Sequence, residues 1–200
     1  MQSERNTGYD EKRAVRRRQL ALCLAALLLV ALAAFPFCAK TIGRAIYPKQ
    51  YSQQVEYWSE AYGVDPVAVY AIIHTESKFR PRAESGVGAR GLMQITEETF
   101  DWIKTQIAPE ESVTFDDLYD PDTNIRFGAY YLSRCMQRYG DLATAAAAYH
   151  SGWGTVDELL SQEEYAASEN TLSKFPYQQM NLYVFKVERA YTRYSRLYLE

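Results

Sequence analysis

"VAVYAIIHTE", Val67 to Glu76, decides how the chain is read. Val69, Ile72 and Ile73 fall at i, i+3 and i+4, a helical spacing, and the next position on that apolar face, i+7, is Glu76. A carboxylate thus stands where the pattern asks for a core residue. Upstream, Asp65 and Pro66 give a cap and a first-turn proline, so the helix starts there. Downstream, Pro81 disfavours helical geometry at Arg80, which predicts a stop near Phe79. "SGVGARGLMQI", Ser85 to Ile95, follows as a glycine-rich loop with room for a small hairpin.

The surrounding segments read the same way. "YSQQVEYWSEAYG" is a helix closed by Gly63, and Thr96 caps another that opens with Glu97 and Glu98. Asp120 and Pro121 start a third, whose stripe of Ile125, Ala129, Leu132 and Met136 runs to Gly140. "DLATAAAAY" makes a helix from Asp141, and a last one begins near Gln178. No stretch alternates long enough for a confident strand. The expectation is a mostly α single domain with at most a small β-hairpin, over residues 47–200.

The N-terminal part is different in kind. Residues 20–39, "LALCLAALLLVALAAFPFCA", carry no charge and as a helix would span about 30 Å, the thickness of a bilayer core. Arg16, Arg17 and Arg18 precede them, which favours residues 1–19 in the cytoplasm and the domain on the extracytoplasmic side. A cleaved signal peptide competes, because "ALAAF" offers small residues. The apolar run continues past that site, which favours an uncleaved transmembrane anchor in the cytoplasmic membrane. Residues 40–46 read as a tether.

Charge and cysteine exclude several classes. Residues 1–19 hold six basic and three acidic side chains, a net +3, so a total of −3 leaves the rest at −6. An acidic domain of this kind lacks the footprint of a nucleic-acid binder. Cys23 and Cys38 lie in the apolar run and Cys135 is alone, so neither a disulfide framework nor a metal-ligand spacing is present. The glycine loop lacks a P-loop lysine. Neither metal nor cofactor is expected.

Glu76 pairs with Arg80 at i+4 in the ordinary surface reading. Its place on an apolar face instead implies partial burial, and a carboxyl group that keeps its proton near neutral pH can act as a general acid.

Five segments in order resemble one family: "ESKF" (Glu76–Phe79), "GLMQI" (Gly91–Ile95), "DPDTNIRFGAYYL" (Asp120–Leu132), "AAYHSG" (Ala147–Gly152) and "FPYQQMNLYVFKV" (Phe175–Val187). They look like the motifs of soluble-type, goose-lysozyme-like lytic transglycosylases, over roughly residues 47–190. The resemblance implies a lysozyme-like fold that binds peptidoglycan glycan strands. It implies that Glu76 is the single catalytic carboxylate, which cleaves between N-acetylmuramic acid and N-acetylglucosamine to leave a 1,6-anhydromuramyl end. It further implies that Ser77 bonds near the acid and that Gly91, Met93 and Gln94 line the cleft. Tyr149 matches the tyrosine of the family's "AYN" motif, and Tyr183 that of its "NYV" segment. His150 stands where the family usually has Asn, and Gln179 where Glu is common. Imidazole titrates near pH 6.5, so His150 brings a pH dependence that Asn lacks. His74, at i−2 from Glu76, points to another side of the helix and reads as structural.

Two rival functions are consistent with the same residues. A hydrolytic muramidase needs a second carboxylate, for which Glu98, Asp101, Asp116 and Asp117 are available. A non-catalytic peptidoglycan-binding envelope protein needs none.

Overall fold

The computed structural model describes residues 16, 18, 22, 24, 27–30, 32–35 and 37–199. The chain divides into two compact units, Met1–Ile46 and Tyr47–Glu200. In the first, helix α1 runs over Leu27–Ile46 with a mean hydropathy of 1.6, long and apolar enough by composition to cross a membrane. Leu28, Leu29, Val30, Leu32, Phe35 and Phe37 on it are all exposed. Part of the anticipated 20–39 span, and Cys23 with it, lies outside the described residues. Residues 40–46, read as a tether, are helical and continue α1.

The second unit is helical. Its elements are α2 (Ser52–Tyr62), α3 (Pro66–Glu76), α4 (Glu97–Ile107), a 3-10 turn (Phe115–Tyr119), α5 (Pro121–Tyr139), α6 (Leu142–Ser151), α7 (Trp153–Leu160) and α8 (Gln178–Tyr198). α3 packs against α8 and α2, and α6 lies between α5 and α8. The bridges Glu84 with Arg90 and Arg90 with Ile95 form the small hairpin in the glycine loop, and Ala166 pairs with Leu172 in a further bridge that the sequence did not suggest.

Local chemistry sets the boundaries. Asp65 accepts the Val67 N–H at 2.8 Å to open α3, Thr96 accepts from Thr99 to open α4, and Asp120 and Asp141 do the same for α5 and α6. Gly63 ends α2 in the left-handed region at φ 64°. Asp65 also takes the Tyr191 hydroxyl of α8 at 2.7 Å, so one carboxylate ties two helices together. Asp65→Ala is expected to cost about 1–2 kcal/mol. A fall of a few degrees in the melting temperature checks it; an unchanged value would mean that water replaces both bonds.

Two features of α3 correct the sequence reading. Val67 through His74 are all buried, so the helix is apolar on every side and not along one stripe. Glu76 is therefore the terminal residue of a core helix. That helix ends at Glu76, three residues before Phe79, because Lys78 and Phe79 turn left-handed at φ 54° and 62°. Such a conformation costs about 1–2 kcal/mol for a residue with a Cβ. Burying the Phe79 ring against Tyr70 and His74 offsets part of that. Arg80 Nε then donates to the Ser77 carbonyl at 2.9 Å, which satisfies a helix-end acceptor.

Candidate active site

Glu76 opens into a cavity of about 370 Å³ that α4, α5, α6 and the glycine loop enclose. Gln94, Thr99, Tyr131, Tyr149 and His150 line it, and Glu76 is the carboxylate among its described lining residues. The Tyr183 hydroxyl of α8 donates to Glu76 Oε1 at 2.6 Å. Burial drives the Glu76 carboxyl up to about 7, against the opposing pull of that hydrogen bond and of the Lys186 charge. Its place at the carbonyl end of α3 also disfavours the anion. Burial and the neighbouring Glu76 push the Tyr183 phenol well up, so it stays a donor. Near pH 7 the site thus holds a carboxyl group that can both give and accept a proton.

The tyrosines are positioned by bonds that the motifs alone do not reveal. Tyr149 donates to the Met93 carbonyl at 2.9 Å, and its ring lies 5.1 Å from that of Tyr131. His150 stacks on Tyr183 with centroids 4.4 Å apart and planes 11° apart. Burial, then Lys186, pull the His150 imidazole below its ordinary value, which favours a neutral ring near pH 7. His74 is buried and stacks on Tyr47, in keeping with a structural role.

The glycine loop contributes Ser85, Val87, Ala89, Gln94 and Ile95 to the cavity lining. Gln94 reaches the cavity at φ 50°, its amide donating to the Ala83 and Gly91 carbonyls at 3.1 and 2.9 Å. Met93 and Gly91, expected as cleft lining, are not among the lining residues. Met93 is buried, its N–H donating to Asn124 Oδ1 at 2.7 Å. Gly91, at φ 78°, lies where a Cβ would stand 2.0 Å from Asn124 Nδ2 and 2.2 Å from the Leu118 carbonyl. Ser77 donates to the Ile73 carbonyl at 3.3 Å and makes no described bond to the acid. Gln179 is exposed on the first turn of α8, away from the cavity lining.

Of the four further carboxylates, Asp116 pairs with Arg90 and Asp117 caps Thr114. Asp101 is exposed, and Glu98 lines an adjoining pocket. Asn124, Tyr131 and Thr99 were not singled out in the sequence. Asn124 and Tyr131 lie within the Asp120–Leu132 segment, whose resemblance was the available signal for both.

This is a helical domain of the lysozyme-like class. Residues 53–172 match the Transglycosylase SLT domain family. Over 101 residues the chain is 41% identical to a transglycosylase of Enterobacteria phage PRD1, which covers 48% of this chain and 34% of that protein. Over 172 residues it is 30% identical to membrane-bound lytic murein transglycosylase C of Serratia proteamaculans (strain 568), covering 74% of this chain and 47% of that protein. The solved structure of an inactive mutant of the lytic transglycosylase Slt from Pseudomonas aeruginosa superposes with a TM-score of 0.67 at 28% identity, over 75% of this chain and 24% of that one. The chain belongs to the Transglycosylase SLT domain family, and it spans less than half the length of these relatives.

Proposed function

We propose that the protein is a membrane-anchored peptidoglycan lytic transglycosylase that uses Glu76 as its only catalytic carboxylate. The observation that carries this reading is Glu76 itself, a carboxyl poised near pH 7 with no second carboxylate among the described residues that line its cavity. Protonated Glu76 gives its proton to the glycosidic oxygen between N-acetylmuramic acid and N-acetylglucosamine as that bond breaks. The resulting carboxylate takes the proton of the muramyl 6-hydroxyl while that oxygen attacks the anomeric carbon. The product is a 1,6-anhydromuramyl end, no water is consumed, and Glu76 is protonated again. The substrate's own N-acetyl group steadies the oxocarbenium-like centre, as in other substrate-assisted glycosidases. Tyr183 stabilises the ionised stage through its short bond to Oε1. α1 and the preceding arginines support anchoring with the domain on the wall side.

The test is mass spectrometry of muropeptides released from purified peptidoglycan by the detergent-solubilised chain, with Glu76→Gln as control. Anhydromuramyl ends are the expected result. Reducing muramic acid ends would replace the reading with hydrolysis, and bound but uncut glycan would replace it with a binding module.

Tyr183→Phe provides a narrower check. Loss of its hydrogen bond to the anion raises the Glu76 pKa, by about one unit for a bond worth roughly 1.5 kcal/mol. Because cleavage starts from protonated Glu76, the alkaline limb of kcat/KM is expected to move to higher pH. An unmoved limb in the pH profile would assign that limb to another group.

A further inference from the structure

The outer face of α8 runs against the charge of the rest of the chain. Residues 20–200 carry a net −6, yet Lys186, Arg189, Arg193 and Arg196 recur along this helix, against one acidic side chain, Glu188. Their spacing of i, i+3, i+7 and i+10 puts all four on one stripe. Each is exposed, and none is ion-paired among the described residues. Leu182 and Phe185 extend the stripe toward the start of the helix, and both are at least half exposed. Lys78, just beyond α3, crowds the same cations: burial, then Lys186 and Arg189, pull its ammonium below its ordinary value. A basic stripe by itself is ordinarily a solvated surface, so its place in the chain has to decide.

The carboxyl end of α8 is bonded to the start of the domain. The Tyr198 hydroxyl donates to the Tyr47 carbonyl at 2.8 Å and the Tyr194 hydroxyl to the Pro48 carbonyl at 3.0 Å. The Tyr47 and Tyr194 rings meet edge to face at 5.5 Å. Tyr47 follows Ile46, the last residue of α1. From Ala39, where the uncharged run ends, to Ile46 a helix rises only about 10 Å. With α1 in the bilayer, chain length alone keeps Tyr47 and the end of α8 bonded to it near the lipid headgroups. Arg193 and Arg196 alternate along the helix with those two tyrosines.

We propose that the outer face of α8 docks on the anionic headgroups of the membrane that holds α1, its cations on lipid phosphates and Leu182 and Phe185 in the interfacial layer. The proposal rests on the reading of α1 as a membrane anchor and is independent of the chemistry at Glu76. Phosphates supply the anions that the stripe lacks, and the interfacial layer accepts exposed aliphatic and phenyl groups that water disfavours. The inner face of the same helix carries Tyr183, the partner of Glu76. Docking therefore holds the acid within about one helix diameter, roughly 10 Å, of the headgroups. Cleavage is then directed to glycan that lies against the membrane.

The experiment puts a fluorophore on the docking face. The full-length chain with Phe185→Trp is reconstituted in vesicles of phosphatidylglycerol with brominated acyl chains, and in vesicles of phosphatidylcholine with the same chains. The unsubstituted chain, with its three tryptophans, supplies the background. The added emission is expected to be quenched in phosphatidylglycerol and retained in phosphatidylcholine. Each arginine near an anionic surface shifts the docked-to-free ratio by about fivefold, so Arg189→Gln, Arg193→Gln and Arg196→Gln together lower it by about a hundredfold and restore the emission. Sodium chloride at about 0.5 M restores it as well, with the arginines intact. Emission that stays unquenched in phosphatidylglycerol, or equal quenching in the two lipids, overturns the docking. Quenching that soluble anionic muropeptides abolish assigns the stripe to wall polymer and overturns it too. Flotation isolates the anchor: chains that float with neither vesicle fail the reading of α1, whereas floating chains without quenching fail the docking alone.

Discussion

Glu76→Gln is expected to lower glycan cleavage by about two to four orders of magnitude, the range that a positioned acid–base group contributes, while making the protein more stable in mild alkali. The two effects share one cause. Burial lifts the carboxyl from an ordinary 4.5 to about 7, so below pH 4.5 the group is protonated in both folded and unfolded chains and costs nothing extra. Between those values the folded state holds a proton that the unfolded state has released, and stability falls as pH rises through the window. Above pH 7 the folded protein carries a carboxylate in a site that disfavours it, a penalty of up to about 3 kcal/mol at 1.36 kcal/mol per pKa unit. Gln keeps the acceptor for Tyr183 and never ionises. The variant should therefore melt several degrees higher than the parent at pH 8 and at nearly the same temperature at pH 4. A pair of thermal scans at the two pH values decides it. Equal melting temperatures at pH 8 would show that the carboxyl is not held up by burial, and would remove the reason to regard it as a general acid.

What the sequence revealed and what it hid follow from the range of the interactions involved. Caps act within three residues, so Asp65, Thr96, Asp120, Asp141 and the glycines at 63 and 140 mark their helix ends without tertiary information. α7, which the sequence reading did not name, has Gly154 in its first turn and no side-chain cap, so Val156 and Leu159 hold it by burial. The helical period predicted partial burial of Glu76, which the structure shows, but for an incomplete reason, since Val67 through His74 are buried on all sides of α3. Motifs located Glu76, Tyr149 and Tyr183. They did not show that His150 and Tyr183, from α6 and α8, stack face to face, because that contact joins residues 33 apart in the chain. Of "GLMQI", Gln94 and Ile95 line the cavity, whereas the backbone at Gly91 and Met93 meets Asn124 instead.

That backbone depends on Asn124, and Asn124→Ala is expected to produce a large loss of stability. The residue is fully buried on the first turn of α5. Its Oδ1 accepts from Met93 N–H at 2.7 Å, and its Nδ2 donates to the Arg90 carbonyl at 3.0 Å and the Leu118 carbonyl at 2.9 Å. One amide thus joins the glycine loop, the 3-10 turn and α5. Alanine would strip the Met93 N–H and the Leu118 carbonyl of this partner, at about 1–3 kcal/mol for each buried group, while the Arg90 carbonyl keeps the Ile95 N–H. Some relaxation is available to the loop, so a net cost of about 3–5 kcal/mol is expected, with a melting temperature lower by on the order of 10 °C. Asn124→Asp separates bonding from packing. It keeps the shape and the acceptor for Met93 but aims an oxygen at two carbonyls, and it should be at least as damaging as alanine. If Asp were tolerated and Ala were costly, volume alone would explain the position. Below the melting transition, both variants should also cleave glycan poorly, because Met93 is the residue whose carbonyl holds Tyr149 and whose neighbour, Gln94, faces the acid's cavity. Urea denaturation and glycan turnover measured on the same preparations test the two halves together: a destabilised variant with full turnover when folded would show that the loop keeps its shape without Asn124.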